Sequence, residues 1–135
     1  MSDKVADLLL RNLQEVFNER DAARRTAAVR SIYAKEAAFF EGNVCYRGHD
    51  AISSKVGALQ ATLPSDFTFT ATSEPARNHD LGRLTWRVGR PAAPPVATGM
   101  DVAHFKNGRI ESLYVFLGEA ADKTSPVQFS EGASK

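Results

Sequence analysis

Residues 97–117, ATGMDVAHFKNGRIESLYVFL, limit what this chain can fold into more than any other stretch. At their centre Lys106-Asn107-Gly108-Arg109 carries Asn-Gly, the pair that most readily takes the positive φ values of a two-residue hairpin turn. The spacing therefore predicts two antiparallel strands in a fixed register. On the outgoing strand Leu113, Val115 and Leu117 point one way while Tyr114 and Phe116 point the other. On the incoming strand Asp101, Ala103 and Phe105 share one face, and Met100, Val102 and His104 share the opposite one. Both faces are too apolar to be left in water, so each needs a cover. Asp101 is the exception, a carboxylate among Gly, Met, Val and Ala.

The segments before the hairpin supply that cover. Val5, Leu8, Leu9, Leu13, Val16 and Phe17 recur at helical spacing, with Ser2 or Asp3 as a cap. After a break at residues 18–20, Asp21 caps a second helix from 22 to about 33. Ala37–Glu41 and Val44–Tyr46 flank Gly42-Asn43 and predict a short hairpin. Gly48-His49-Asp50 opens a third helix whose stripe is Ile52, Val56, Leu59 and Leu63, and Pro64 ends it. Phe67–Thr72 then alternates as a strand, and so does the run in which Leu84, Trp86 and Val88 share a face. Arg77-Asn78-His79-Asp80 is expected to be a turn, and Pro91, Pro94 and Pro95 a loop. Beyond Leu117 the chain is polar and aperiodic, so a single domain over 1–120 with a polar tail over 121–135 is expected.

Composition narrows the function. With 17 Lys and Arg against 16 Asp and Glu, the charge balance excludes an electrostatic nucleic-acid or membrane binder. A single cysteine, Cys45, forms no internal disulfide, and MSDKVADLLL lacks the pattern of a secretory leader, so a cytoplasmic setting is expected. No run is long and apolar enough for a membrane span. His49, His79 and His104 have no metal-ligand spacing, and neither a metal nor a cofactor is expected. Cys45 is expected to be buried or half-buried.

Three helices around a short hairpin, the phrase Tyr46-Arg47-Gly48-His49-Asp50-Ala51-Ile52, and a meander ending in Asp101-Val102 and Asn107-Gly108-Arg109-Ile110 resemble the nuclear transport factor 2-like superfamily. The likeness spans residues 5–117 and is greatest to its SnoaL-like polyketide cyclase and ketosteroid isomerase branch. It implies an α+β fold, a curved antiparallel sheet wrapped as a cone around three N-terminal helices with an apolar pocket, and a homodimer through the sheet's outer face. It also implies roles for single residues. Asp101 falls where the isomerases keep a protonated aspartic acid that donates to an enolate oxygen, and Glu41 falls where they place their carboxylate base. The tyrosine that completes their oxyanion hole is replaced by Leu13.

Two functions follow from these readings. One is an isomerase-, cyclase- or dehydratase-type enzyme on a small apolar carbonyl compound, with Glu41 moving a proton and Asp101 holding the oxygen. The expected cavity wall is Leu13, Phe17, Phe39, Leu84, Trp86, Ala103, Phe105, Leu113, Val115 and Leu117. The other is a non-catalytic dimeric module of the same fold that binds a small ligand or a protein partner. For Asp101 the bland alternative is a buried acid bonded to a neighbour; for Glu41 it is a solvated strand end; for Trp86 it is core packing with its indole N–H satisfied.

Overall fold

The computed structural model describes residues 3–118, so the expected tail over 121–135 lies outside the described residues. Asp3 is the first cap: its Oδ1 accepts from the amides of Val5 and Ala6 at 3.0 and 3.2 Å. Helix α1 (Asp7–Arg11) follows and runs directly into a π-helix, Asn12–Phe17. The sequence predicts ordinary α-helix throughout; the wider winding instead ends with the Asn18 amide donating five residues back to Leu13 at 2.9 Å. Asn12, Leu13, Val16 and Phe17 are all buried by this turn, and such π segments are frequent at functional sites.

Asp21 caps α2 (Ala22–Ile32) as expected, accepting from the Arg24 amide at 2.9 Å. Its inner face carries Arg25, Val29 and Ile32. Arg25 is buried with neutral acceptors around it: its Nε donates to the Ser53 carbonyl at 3.1 Å, and its Nη1 to Gln60 Oε1 at 2.9 Å and the Glu19 carbonyl at 3.1 Å. Burying an unsatisfied cation is costly, so this set of acceptors fixes how α2 lies on α3 (His49–Ala61).

Seven strands form one sheet: β1 (Tyr33–Glu41), β2 (Val44–Arg47), β3 (Thr68–Ala71), β4 (Ala76–Asn78), β5 (Leu81–Gly89), β6 (Ala97–Lys106) and β7 (Arg109–Leu117). The order is β2-β1-β7-β6-β5-β3, with β4 on β5 beside this path. All pairs are antiparallel except β1 with β7, which is parallel and makes the sheet mixed. The turn of the β6–β7 hairpin is the expected one, with Asn107 at φ 55 and Gly108 at φ 76. Two details differ from expectation. Tyr33 starts β1 instead of ending α2, and Ala76–Asn78 is a strand paired to Leu81–Arg83, which shortens the expected polar turn to its far end.

The sheet's concave face meets the helices. Leu9, Val16, Val29, Ile32, Phe39, Ile52, Val56, Leu84, Ile110 and Leu113 are fully buried between them, each such side chain contributing about 1.5–3 kcal/mol. The inward faces of β5 and β6 follow the period of two: Gly82, Leu84, Trp86 and Val88, then Gly99, Asp101, Ala103 and Phe105, are buried. The opposite face of the hairpin is less covered, with Phe116 59 % exposed and Tyr114 stacked on Phe40 at 4.8 Å between ring centroids.

Candidate active site

Register brings the two acids together. Glu41 on β1 pairs with Val115 on β7, Val115 with Asp101 on β6, and Asp101 with Leu84 on β5. Both carboxylates therefore stand on one transverse row of the sheet, two strand spacings or about 10 Å apart at the backbone. Both line the same cavity of about 220 Å³, enclosed by Leu13, Phe17, Phe39, Leu59, Leu63, Phe69, Trp86, Val88, Val96, Ala97, Val115 and Leu117. They are its only ionisable lining residues among those described.

The cavity wall differs in part from the expected one. Leu13, Phe17, Phe39, Trp86, Val115 and Leu117 are on it, Leu117 at the rim and 64 % exposed. Leu84, Ala103, Phe105 and Leu113 are not: they face inward, but the helices pack directly on them, and they belong to the solid core beside the cavity. Parity along a strand fixes the face and says nothing of where along it the helices diverge. Leu59 and Leu63 come from the expected α3 stripe, and Phe69 and Val88 from expected strands. Val96 and Ala97 lie where β6 starts after the proline loop, and nothing in the local pattern marks them.

Asp101 is only 2 % exposed. The Trp86 indole N–H donates to its Oδ1 at 2.9 Å, as the core-packing reading of Trp86 expects, and its ring also lines the cavity. Gly99 makes this possible. A Cβ there would sit 2.2 Å from the Trp86 ring, which lies directly over the glycine on the neighbouring strand. Burial raises the Asp101 carboxyl from 3.8 to about 7; the Trp86 hydrogen bond pulls against this, and the Glu41 carboxylate adds to it.

Behind Asp101 lies Tyr33, fully buried, its hydroxyl donating to Asn12 Oδ1 at 2.8 Å. Burial and the nearby Asp101 hold its phenol well above the ordinary range, so it stays neutral. Asn12 comes from the π-helical turn, and its Nδ2 is buried without a partner among the described residues. Tyr33 does not line the cavity.

Glu41 is at the other end of the row, 31 % exposed, and Lys55 Nζ lies 2.9 Å from its Oε1. Lys55 is itself only 14 % exposed and sits 5.6 Å from the centre of the Tyr46 ring. Sequence reasoning missed Lys55; its signal was the spacing Lys55, Leu59 on α3, which places it one turn from a cavity residue.

His49 Nε2 is 2.9 Å from the Tyr33 carbonyl at the start of α3, His79 is exposed in the turn, and His104 is on the outer face, 3.8 Å from Glu111. Cys45, expected to be at least half-buried, is exposed on the edge strand β2. Among the described residues no group of three or more His, Cys, Asp or Glu is disposed to hold a metal, and no helix is long and apolar enough to cross a membrane.

No model of a protein family matches this chain, and neither does any curated protein. Solved structures do. The "putative isomerase of the SnoaL-like family" from Agrobacterium tumefaciens is 24 % identical with a TM-score of 0.77, over 86 % of this chain and 98 % of that one. A "putative SnoaL-like polyketide cyclase" from a Jannaschia species superposes with a TM-score of 0.68 at 12 % identity, covering 84 % and 85 %. A "putative ketosteroid isomerase" from Kribbella flavida gives 0.66 at 12 %, covering 93 % and 85 %. The likeness is one of fold. This chain has the nuclear transport factor 2-like fold, a curved open sheet over three N-terminal helices.

Proposed function

We propose that this protein is an isomerase-, cyclase- or dehydratase-type enzyme that acts on a small, largely apolar carbonyl compound by carboxylate proton transfer. One observation carries the reading: two carboxylates with opposite surroundings share the wall of one apolar cavity. Glu41, half in water and beside a cation, is the base that takes a proton from the carbon next to the carbonyl. Asp101 holds its proton near neutrality and donates it as a hydrogen bond to the carbonyl oxygen as charge builds there. Trp86 fixes the geometry, because its N–H occupies Oδ1 and leaves Oδ2 to carry that proton. The cavity is below the roughly 300–1,000 Å³ of drug-sized sites, which suits a one- or two-ring ligand.

The direct experiment follows α-proton exchange of cyclic ketones such as 2-tetralone in deuterated buffer by NMR. Wild type should accelerate exchange, and Glu41→Gln should lose about 10² to 10⁴ of that rate. Ketones that perturb Trp86 but exchange no faster than in buffer would instead support a non-catalytic ligand-binding module. That second reading has an observation in its favour, since Leu13 lines the cavity where a second oxyanion donor would stand.

The same proposal includes a homodimer in the cytoplasm. Phe116 and Tyr114, exposed and paired with Met100 and Val102 on β6, leave an apolar patch on the outer face, of the kind that a symmetric partner covers. Sedimentation should show a dimer that Phe116→Glu converts to monomer; a wild-type monomer at micromolar concentration would dismiss it.

A further inference from the structure

Glu41, Val115 and Leu117 line the interior cavity and also a broader surface groove outside it, whose other walls are Phe40, Tyr46, Lys55, Tyr114 and Phe116 with the β1–β2 turn. The Glu41–Lys55 pair thus stands at the junction of the two spaces. Among the described residues that line either space, Lys55 is the only cation, and Glu41 and Asp101 are the only carboxylates. The pair is unlike a solvated surface bridge. Its atoms are 2.9 Å apart, the lysine is 14 % exposed, and its ammonium is backed by the Tyr46 ring. An ammonium has three N–H donors, so one bond to Glu41 leaves capacity for a second acceptor.

A base that is paired with a half-buried cation creates a particular charge problem. When Glu41 accepts a proton, Lys55 is left as an uncompensated cation in a setting where that is costly. We propose that Lys55 is the charge-compensating residue of this site, neutralising Glu41 while the ligand is neutral and the enolate once the proton has moved. This rests on the proton-transfer reading above. In the step, the ligand's C–H bond breaks, the proton forms an O–H bond on Glu41, the C–H electron pair becomes a C=C bond, and the C=O π pair moves onto the carbonyl oxygen. Glu41, Lys55 and ligand together carry no net charge before the step and none after it. Lys55 therefore acts as a positioning residue, reached through Glu41 and through the field it places at the cavity mouth. It follows that the site favours ligands that become anions inside it over ligands that stay neutral.

A phenol is a stable stand-in for this event, because its ionisation leaves an oxyanion conjugated to a ring. The test titrates 4-nitrophenol bound to the full chain, following phenolate absorbance across pH, in wild type, Lys55→Gln and Lys55→Arg. Binding and fold are monitored in each variant by the indole N–H signal of Trp86, the chain's single tryptophan. Wild type should make the bound phenol ionise at least tenfold more readily than the free one. Lys55→Gln should lose that tenfold, and Lys55→Arg should keep most of it. A bound phenol that ionises alike in wild type and Lys55→Gln, with the Trp86 signal showing both folded and occupied, overturns the role of Lys55 and leaves the functional reading standing. A Trp86 signal that neither 4-nitrophenol nor 2-tetralone shifts in wild type overturns both.

Discussion

Asp101 and Glu41 sit on the same row of the same sheet and line the same cavity, yet the fold treats them in opposite ways. Asp101 is sealed among apolar side chains with one neutral donor, and burial leaves its carboxyl protonated up to about pH 7. Glu41, two strands nearer the edge, has water on one side and an ammonium at 2.9 Å on the other. Under the proposed function these two depths assign the acid's role to one carboxyl and the base's role to the other. Depth along the row, set by strand register, is what separates their surroundings.

The largest effect should come from removing the buried acid's titration. Because its folded value is raised, the folded state holds a proton that the unfolded chain has already released. Stability from this group is fully present below 3.8, is lost as pH rises through about 7, and then levels off. The span corresponds to about 4 kcal/mol at 1.36 kcal/mol per pH unit. Denaturant melts of Asp101→Asn should lack that fall, so that the variant gains on wild type as pH rises from 4 to 8. Parallel curves for the two proteins would remove the asymmetry between the acids.

A smaller loss is expected from Gly99→Ala. The added methyl would meet the Trp86 ring and must push it aside, a kind of overpacking that costs about 1–3 kcal/mol. The same displacement should weaken the indole bond to Asp101, which is read as a shift of the Trp86 N–H signal. An unchanged midpoint and signal would mean that the ring is not held against Gly99.

How much of this was legible in the sequence can be said residue by residue. Asn107-Gly108 announced its hairpin because the turn is local, and Asp101 stood out because alternation alone put a carboxylate on an apolar face. Trp86 was placed inward for the same reason. What stayed hidden depended on pairings distant in sequence. The parallel contact of β1 with β7 decides that Glu41 and Asp101 share a row, and no short-range pattern encodes it. Lys55 carries no mark of its own on α3, and only that row places Glu41 beside it. The π-helical turn was also invisible, because a 3.6-residue stripe and a slightly wider one select the same apolar positions over six residues.

A finer test concerns the contact between the two acids themselves. The Glu41 carboxylate is the smallest of the three influences on Asp101 and raises it, so Glu41→Gln should lower the Asp101 value by less than about one pH unit. No change, or a rise, would show that the two ends of the row do not sense each other.

The contrast between the two acids rests most directly on the protonation of Asp101 in the wild-type protein. Carbon-detected NMR titration of its side-chain carboxyl, assigned by comparison with Asp101→Asn, reads this without any ligand or assay. The structure predicts a midpoint near 7. A midpoint at or below 3.8 would make Asp101 an ionised, paired carboxylate, and the division of labour between the two acids would then be wrong.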